Sequence, residues 1–157
     1  MSNETTNTAG TSLTSYLYCT DGIAAKGQDS ILLAGRILLG YIYFQSGWRK
    51  LMDVDAFVKS MARRDLPDFL GYIAAPVEFL GGLFMLLGIA TRYTSLVMLL
   101  FVIIATFSSH RYWAVDAAQV ANQSSHFWKN VSMMGGTVLL FVTGAGRYAI
   151  DRLLMRK

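Results

Sequence analysis

Residues 72–90 read YIAAPVEFLGGLFMLLGIA, an apolar run long enough to cross a bilayer, with one carboxylate, Glu78, inside it. A lone carboxylate at membrane depth costs at least a few kcal/mol unless it is paired, protonated or in contact with water. Other segments must therefore supply something for Glu78. Ala74, Gly81 and Gly82 lie at helical spacings from it, so the carboxylate shares a stripe with the smallest side chains of the segment. Small residues mark the face where a second helix approaches, which turns Glu78 into a helical bundle and away from lipid.

Composition agrees with that reading. With 54% hydrophobic and 15% charged residues and a mean hydropathy of +0.39, the chain is too apolar for an ordinary soluble domain. The net charge of +4 does not indicate nucleic acid, because the basic residues sit at the ends of apolar runs, where they anchor helices and meet anionic headgroups. Cys19 is the single cysteine. It excludes an internal disulfide, a CxxC redox pair and a thiolate metal cluster.

The first apolar run, Ile31 to Trp48, ends in Arg49 and Lys50. Arg36, Gly40, Tyr43, Gly47 and Lys50 recur at alternating steps of four and three and form one inward stripe, while Ile31, Leu32, Leu38, Leu39 and Ile42 occupy the lipid-facing sides. Between the first two runs, Asp53 or Asp55 caps a short helix. Val54, Phe57, Val58 and Met61 share one side of it and Lys59, Arg63 and Arg64 the other, the pattern of a helix lying on a membrane surface. Pro67 ends this helix, and Pro76 interrupts the second run just before Glu78.

Thr91 and Arg92 read as a very short turn, which makes the second and third runs antiparallel neighbours. The third, from Tyr93, is uncharged and ends at His110 and Arg111; a mildly polar loop, Ala114 to His126, leads to the fourth, in which Gly135 and Gly136 permit close contact. The expected architecture is all-α: an integral-membrane antiparallel four-helix bundle with spans at about 31–50, 71–90, 92–110 and 128–146, and a short interfacial amphipathic helix between spans one and two. A polar mobile tail, 1–29, precedes the membrane domain, 30–152, and a basic tail, 153–157, follows it. An even number of spans puts both termini on one side. The Lys and Arg count is nearly balanced between the two sides, and the termini are assigned to the cytoplasm.

Antiparallel threading fixes the depths. Glu78 lies ~9 Å of helix rise from the loop side, in one layer with Gln45, Lys50, His110, Lys129 and Asn130. Arg36 belongs to the opposite end, near Arg92, Arg147 and Asp151. The charge partner of Glu78 is Lys50 or Lys129. In a structural reading the pair satisfies buried polarity and fixes register; in a functional one, Glu78 and His110 are the catalytic candidates, and the layer binds a polar headgroup and passes protons, as quinone chemistry requires. No residue set suggests a metal site.

The segments GRILLGYIYFQSGWRKL, PVEFLGGLFMLLGIATRYTSLVMLLFVIIAT and HFWKNVSMMGGTVLLFVTGAGRYAIDR, in that order, resemble the DoxX family of small bacterial four-helix membrane proteins. The resemblance covers about residues 31–152 and rests on Arg36, Lys50, Glu78 followed by the glycine pair, Arg92, the triplet Trp128 to Asn130, and GxGRYxxD ending at Asp151. It implies a bacterial inner-membrane protein similar to the small subunit of a thiosulfate:quinone oxidoreductase: a quinone-interacting or membrane-anchoring subunit of a redox complex. The implied cofactor is a non-covalent quinone, and the implied partners are the lipid bilayer and other redox subunits or further copies of the chain. A non-catalytic assembly protein or scaffold and a small proton-coupled transporter are the alternatives.

Overall fold

The computed structural model describes residues 18–154. The expectations for residues 1–17, including most of the polar tail, and for Arg156 and Lys157 lie outside the described residues. Within them the chain is helical, without a strand: α1 (Cys19–Met52), α2 (Val54–Ala62), α3 (Phe69–Leu87), α4 (Thr91–Ser109), a 3-10 turn (Tyr112–Ala114), α5 (Ala117–Thr143) and α6 (Ile150–Leu154). α1 packs along α3, α3 meets α4, α4 packs on α5, and α2 lies over α3. α3 and the α4 segment are long and apolar enough to cross a membrane. α1 carries Arg36 within its apolar stretch, and the first third of α5 is polar.

The boundaries differ from the sequence expectation in three places. α1 begins at Cys19, so residues 19–29 are helical and do not belong to a tail. α5 begins at Ala117, so most of the expected loop is helix. Thr91 is already helical, and the turn before it is Gly88 to Ala90. Gly88 stops α3 in the left-handed conformation at φ 68°, with the Ile89 N–H reaching back to the Phe84 carbonyl at 2.9 Å. A side chain at position 88 would also meet the Arg36 guanidinium and Ala149.

The inward stripe of α1 lies where its periodicity places it: Arg36, Gly40, Tyr43 and Gly47 are buried and Lys50 is half-buried. Its glycines let α1 and α3 touch through their backbones. A Cβ on Gly47 would collide with the Phe79 backbone, and one on Gly82 with the Phe44 backbone. No such approach occurs at Gly135, which has nothing within 4 Å of where a Cβ would stand. Leu39, expected to face lipid, packs against the core of Tyr43, Met85, Met98, Val102, Met133 and Leu140.

The interior is small and semi-polar, with Thr91, Ser95, Thr106 and Thr137 buried beside the methionines. The outer faces are apolar. Leu38 and Ile42 on α1, Ile73 and Leu80 on α3, Leu100 and Ile104 on α4, and Leu139 and Val142 on α5 are all exposed. A water-soluble domain rarely leaves so large an apolar patch uncovered.

Candidate functional site

On the loop side, α1 and α3 bring Lys50 and Glu78 together. Lys50 Nζ donates to Glu78 Oε2. The glycine contact at Gly47 sits one turn below and fixes the helix separation that this pair requires. The Glu78 side chain is 8% exposed and that of Lys50 28%, so the ammonium is the member of the pair that remains open to approach. Its outer side faces the ring of Phe57 on α2, with 5.0 Å from Nζ to the centroid. Of the two lysines in the expected layer, Lys50 meets the carboxylate, whereas Lys129 is exposed.

The rest of the expected layer divides. Asn130 is buried and donates from Nδ2 to Thr106 Oγ1 at 3.1 Å, and the Thr106 hydroxyl in turn donates to the Val102 carbonyl at 2.5 Å. His110 lies just past α4, with Nδ1 2.9 Å from Gln123 Oε1 and its ring stacked on His126 at 5.2 Å between centroids. Burial, with the nearby Lys129 charge second, holds His126 below its ordinary pKa. Gln45 is exposed and stands apart from the pair. Deeper in, Tyr43 approaches Thr137 Oγ1 at 3.3 Å; because Thr137 donates to the Met133 carbonyl at 2.7 Å, the tyrosine is the donor. The helical period places Tyr43 inward, but Thr106 and Thr137 escape it, since threonine carries no signal of burial by itself.

The terminus side holds a second polar network. Arg36 is buried, and its guanidinium donates to the carbonyls of Ala145 at 2.6 Å and Tyr148 at 2.5 Å. It therefore locks the segment after α5 and does not snorkel to the surface. Asp151 caps α4 from the far end of the chain, accepting from the Ala90 N–H at 2.6 Å, the Thr91 N–H at 3.0 Å and the Thr91 hydroxyl at 3.1 Å. Asp29 accepts from the Arg147 N–H at 2.8 Å, and Arg92 reaches the Val142 carbonyl at 3.4 Å. A cavity of about 820 Å³ opens beside Arg92 and Asp151. Neither it nor a smaller loop-side cavity is lined by Lys50 or Glu78.

Residues 31–111 match the model of the DoxX family. The chain is 34% identical to the inner membrane protein YqjF of Escherichia coli over 84% of its own length and 98% of that protein's. The chain belongs to the DoxX family. It is a membrane protein, as that family is. It is also 31% identical to the inner membrane protein YphA of Escherichia coli, over 78% of this chain and 89% of that one. A shorter match, 32% identical over 36% of this chain and 42% of the relative, is to a Bacillus subtilis protein named "Putative oxidoreductase CatD". No solved structure matches the chain.

Proposed function

We propose that this DoxX protein is a four-span antiparallel subunit of the bacterial inner membrane, serving a quinone-linked oxidoreductase. In this reading α1, α3, α4 and α5 cross the bilayer, both termini lie in the cytoplasm, and α2 rests on the opposite surface. The apolar outer faces of all four long helices support the four spans. α2 buries Val58 and Met61 and exposes Lys59, which suits an interfacial helix.

The observation that carries the functional part is the Lys50 and Glu78 pair at membrane depth. Intramembrane ionisable groups are retained mainly for function, and the donor set fits a quinone headgroup: an accessible ammonium for a carbonyl oxygen and a carboxylate that can hold the proton such chemistry exchanges. A quinone, when bound, supplies a carrier of two electrons and two protons. The chain's own part is to orient the headgroup through Lys50, to hold a proton at Glu78 and to exclude water by the close contact of α1 with α3. The electrons belong to a partner redox subunit. The short likeness to a protein named as an oxidoreductase points the same way.

Solvent extraction of the detergent-purified protein tests this. The expected result is co-purified quinone that is depleted in Glu78→Gln and Lys50→Met. Protein that retains no quinone, and binds none when a soluble quinone is titrated in, refutes the reading. Quinone-free protein that mediates pH-driven uptake in proteoliposomes would assign Glu78 to transport.

A further inference from the structure

Three arginines that the quinone reading does not use converge on one cavity. α2 closes with the Leu66 N–H on the Met61 carbonyl at 3.1 Å, and Asp65 takes up the left-handed position at φ 57°. This turn brings Arg63 and Arg64 to the wall of a loop-side cavity of about 450 Å³, whose other walls are the end of α4, Arg111 and the start of α5. Gln119 and Gln123 stand one turn apart on α5 and line the same space. Gln123 uses its carbonyl oxygen on His110, which leaves its amide N–H groups as donors.

Among the described residues none of the three guanidinium groups has a carboxylate within 4.0 Å, although Asp65 lines the cavity. The C-termini of α2 and α4 end nearby, and each carries about half a negative charge. The three guanidinium charges and the positive end of α5 outweigh Asp65 and the two helix C-termini, which leaves a net positive surplus of between about one and two charges. Arg64 is half-buried; burial first and the neighbouring Arg63 charge second hold its guanidinium below its ordinary pKa. An anion would relieve both effects. The planar forks of arginine match the oxygens of a tetrahedral phosphate better than any point charge would.

We propose that this cavity is an oxyanion site that takes a phosphate group, carried either by a lipid headgroup or by a soluble phosphate. The lipid source suits its position: Tyr112, Trp113, Phe127 and Trp128 form an edge-to-face aromatic cluster beside it, and such residues collect at headgroup depth.

The test uses the full-length, delipidated protein in detergent. Inorganic phosphate is titrated by calorimetry at low salt, and phosphatidylglycerol is added for native mass spectrometry, with phosphate-free diacylglycerol as the reference lipid. Saturable phosphate binding that weakens about tenfold or more in Arg64→Gln/Arg111→Gln, but not in the remote Lys26→Gln, supports the site with a soluble source. Retention of phosphatidylglycerol over diacylglycerol, lost in the same double variant, supports it with a lipid source. Binding of neither probe by the wild type, or binding unchanged in the double variant, overturns it. Should the double variant fail to fold, Arg63→Gln at an exposed position decides: weaker binding of either probe and a shallower salt dependence support the site, and unchanged binding overturns it.

Discussion

Replacing Glu78 by Gln removes one charge of the Lys50 pair and leaves the shape almost unchanged. Breaking a fully buried pair from one side costs about 3–5 kcal/mol. Here the exposures are unequal, 8% for Glu78 and 28% for Lys50, and the abandoned ammonium can turn partly toward water or headgroups, so the expected loss is about 1–3 kcal/mol. Lys50→Met strands the less exposed partner and should cost at least as much. In Glu78→Gln/Lys50→Met no charge is stranded, and the double variant should recover about 1 kcal/mol or more of the summed single losses. Lys129 is exposed and forms no ion pair with Glu78, so Glu78→Gln/Lys129→Met should be additive. Thermal melting in one detergent at constant pH and salt measures all six proteins: the wild type, the three single variants, Lys129→Met included, and the two doubles. Additivity within about 0.5 kcal/mol in the Lys50 cycle would refute the pair as a stabilising unit. An unperturbed melting point in Glu78→Gln alone would do the same and leave Glu78 a purely proton-handling role.

Two further substitutions test the helix contacts. Gly82→Ala places a methyl 2.7 Å from the Phe44 Cα, where a rigid backbone cannot yield, so it should destabilise by about 1–3 kcal/mol despite the better helix propensity of alanine; Gly135→Ala, in open space, should be neutral or stabilising by up to about 1 kcal/mol, and equal melting shifts for the two would contradict the α1 and α3 contact. Asp151→Asn reduces the acceptors available to Ala90 and Thr91 and should cost about 0.5–2 kcal/mol and raise protease cleavage between Gly88 and Arg92, whereas an unchanged digestion pattern would mean that the cap does not hold this turn.

The legible parts of this fold were those written in local spacing. The stripe from Arg36 to Lys50 repeats at steps of three and four, and each of its members is buried or half-buried; Asp53, one of two candidate caps, accepts the Ala56 N–H at 3.1 Å. Among contacts joining distant parts of the chain, the Lys50 and Glu78 pair was legible, because antiparallel threading sets both at one depth, but the backbone partners of the charged groups at the other end were not. Arg36 finds carbonyls more than a hundred residues away, and Asp151 caps a helix that starts sixty residues before it; no local period encodes either. The start of α5 was missed for a different reason. Residues 117–126 are too polar to show a bilayer-facing period, yet they are helical; His110 meets this segment at Gln123, and Tyr112 packs on Phe127 just beyond it. Of the glycine pair, Gly136 faces Leu39 of α1, where a Cβ would stand 3.5 Å from its Cδ1, whereas Gly135 has nothing opposite it, so only one of the two marks a helix contact.

The two polar ends of the protein differ in how far their groups are satisfied, and that difference separates scaffold from site. At the terminus side, Arg36 and Asp151 are spent on backbone groups, and Arg36 Nε is the one buried side-chain polar atom without a partner among the described residues. Apart from that Nε, the groups of Arg36 and Asp151 close on the chain itself, which holds elements in place and leaves these two residues little to offer a ligand. The loop side holds one ion pair with an open ammonium and three arginines without carboxylates at contact distance. Unspent donors gain most from an added acceptor where they are least solvated, as at the half-buried Lys50 and Arg64. Substitutions at Arg36, Gly88 or Asp151 should therefore lower the melting point and the amount of folded protein, leaving ligand binding per folded molecule intact. Substitutions at Lys50, Arg64 or Arg111 should change binding by more than their effect on folding accounts for. If Asp151→Asn reduced quinone or phosphate binding per folded molecule as strongly as the loop-side variants do, the division between a structural end and a receptive end would fail.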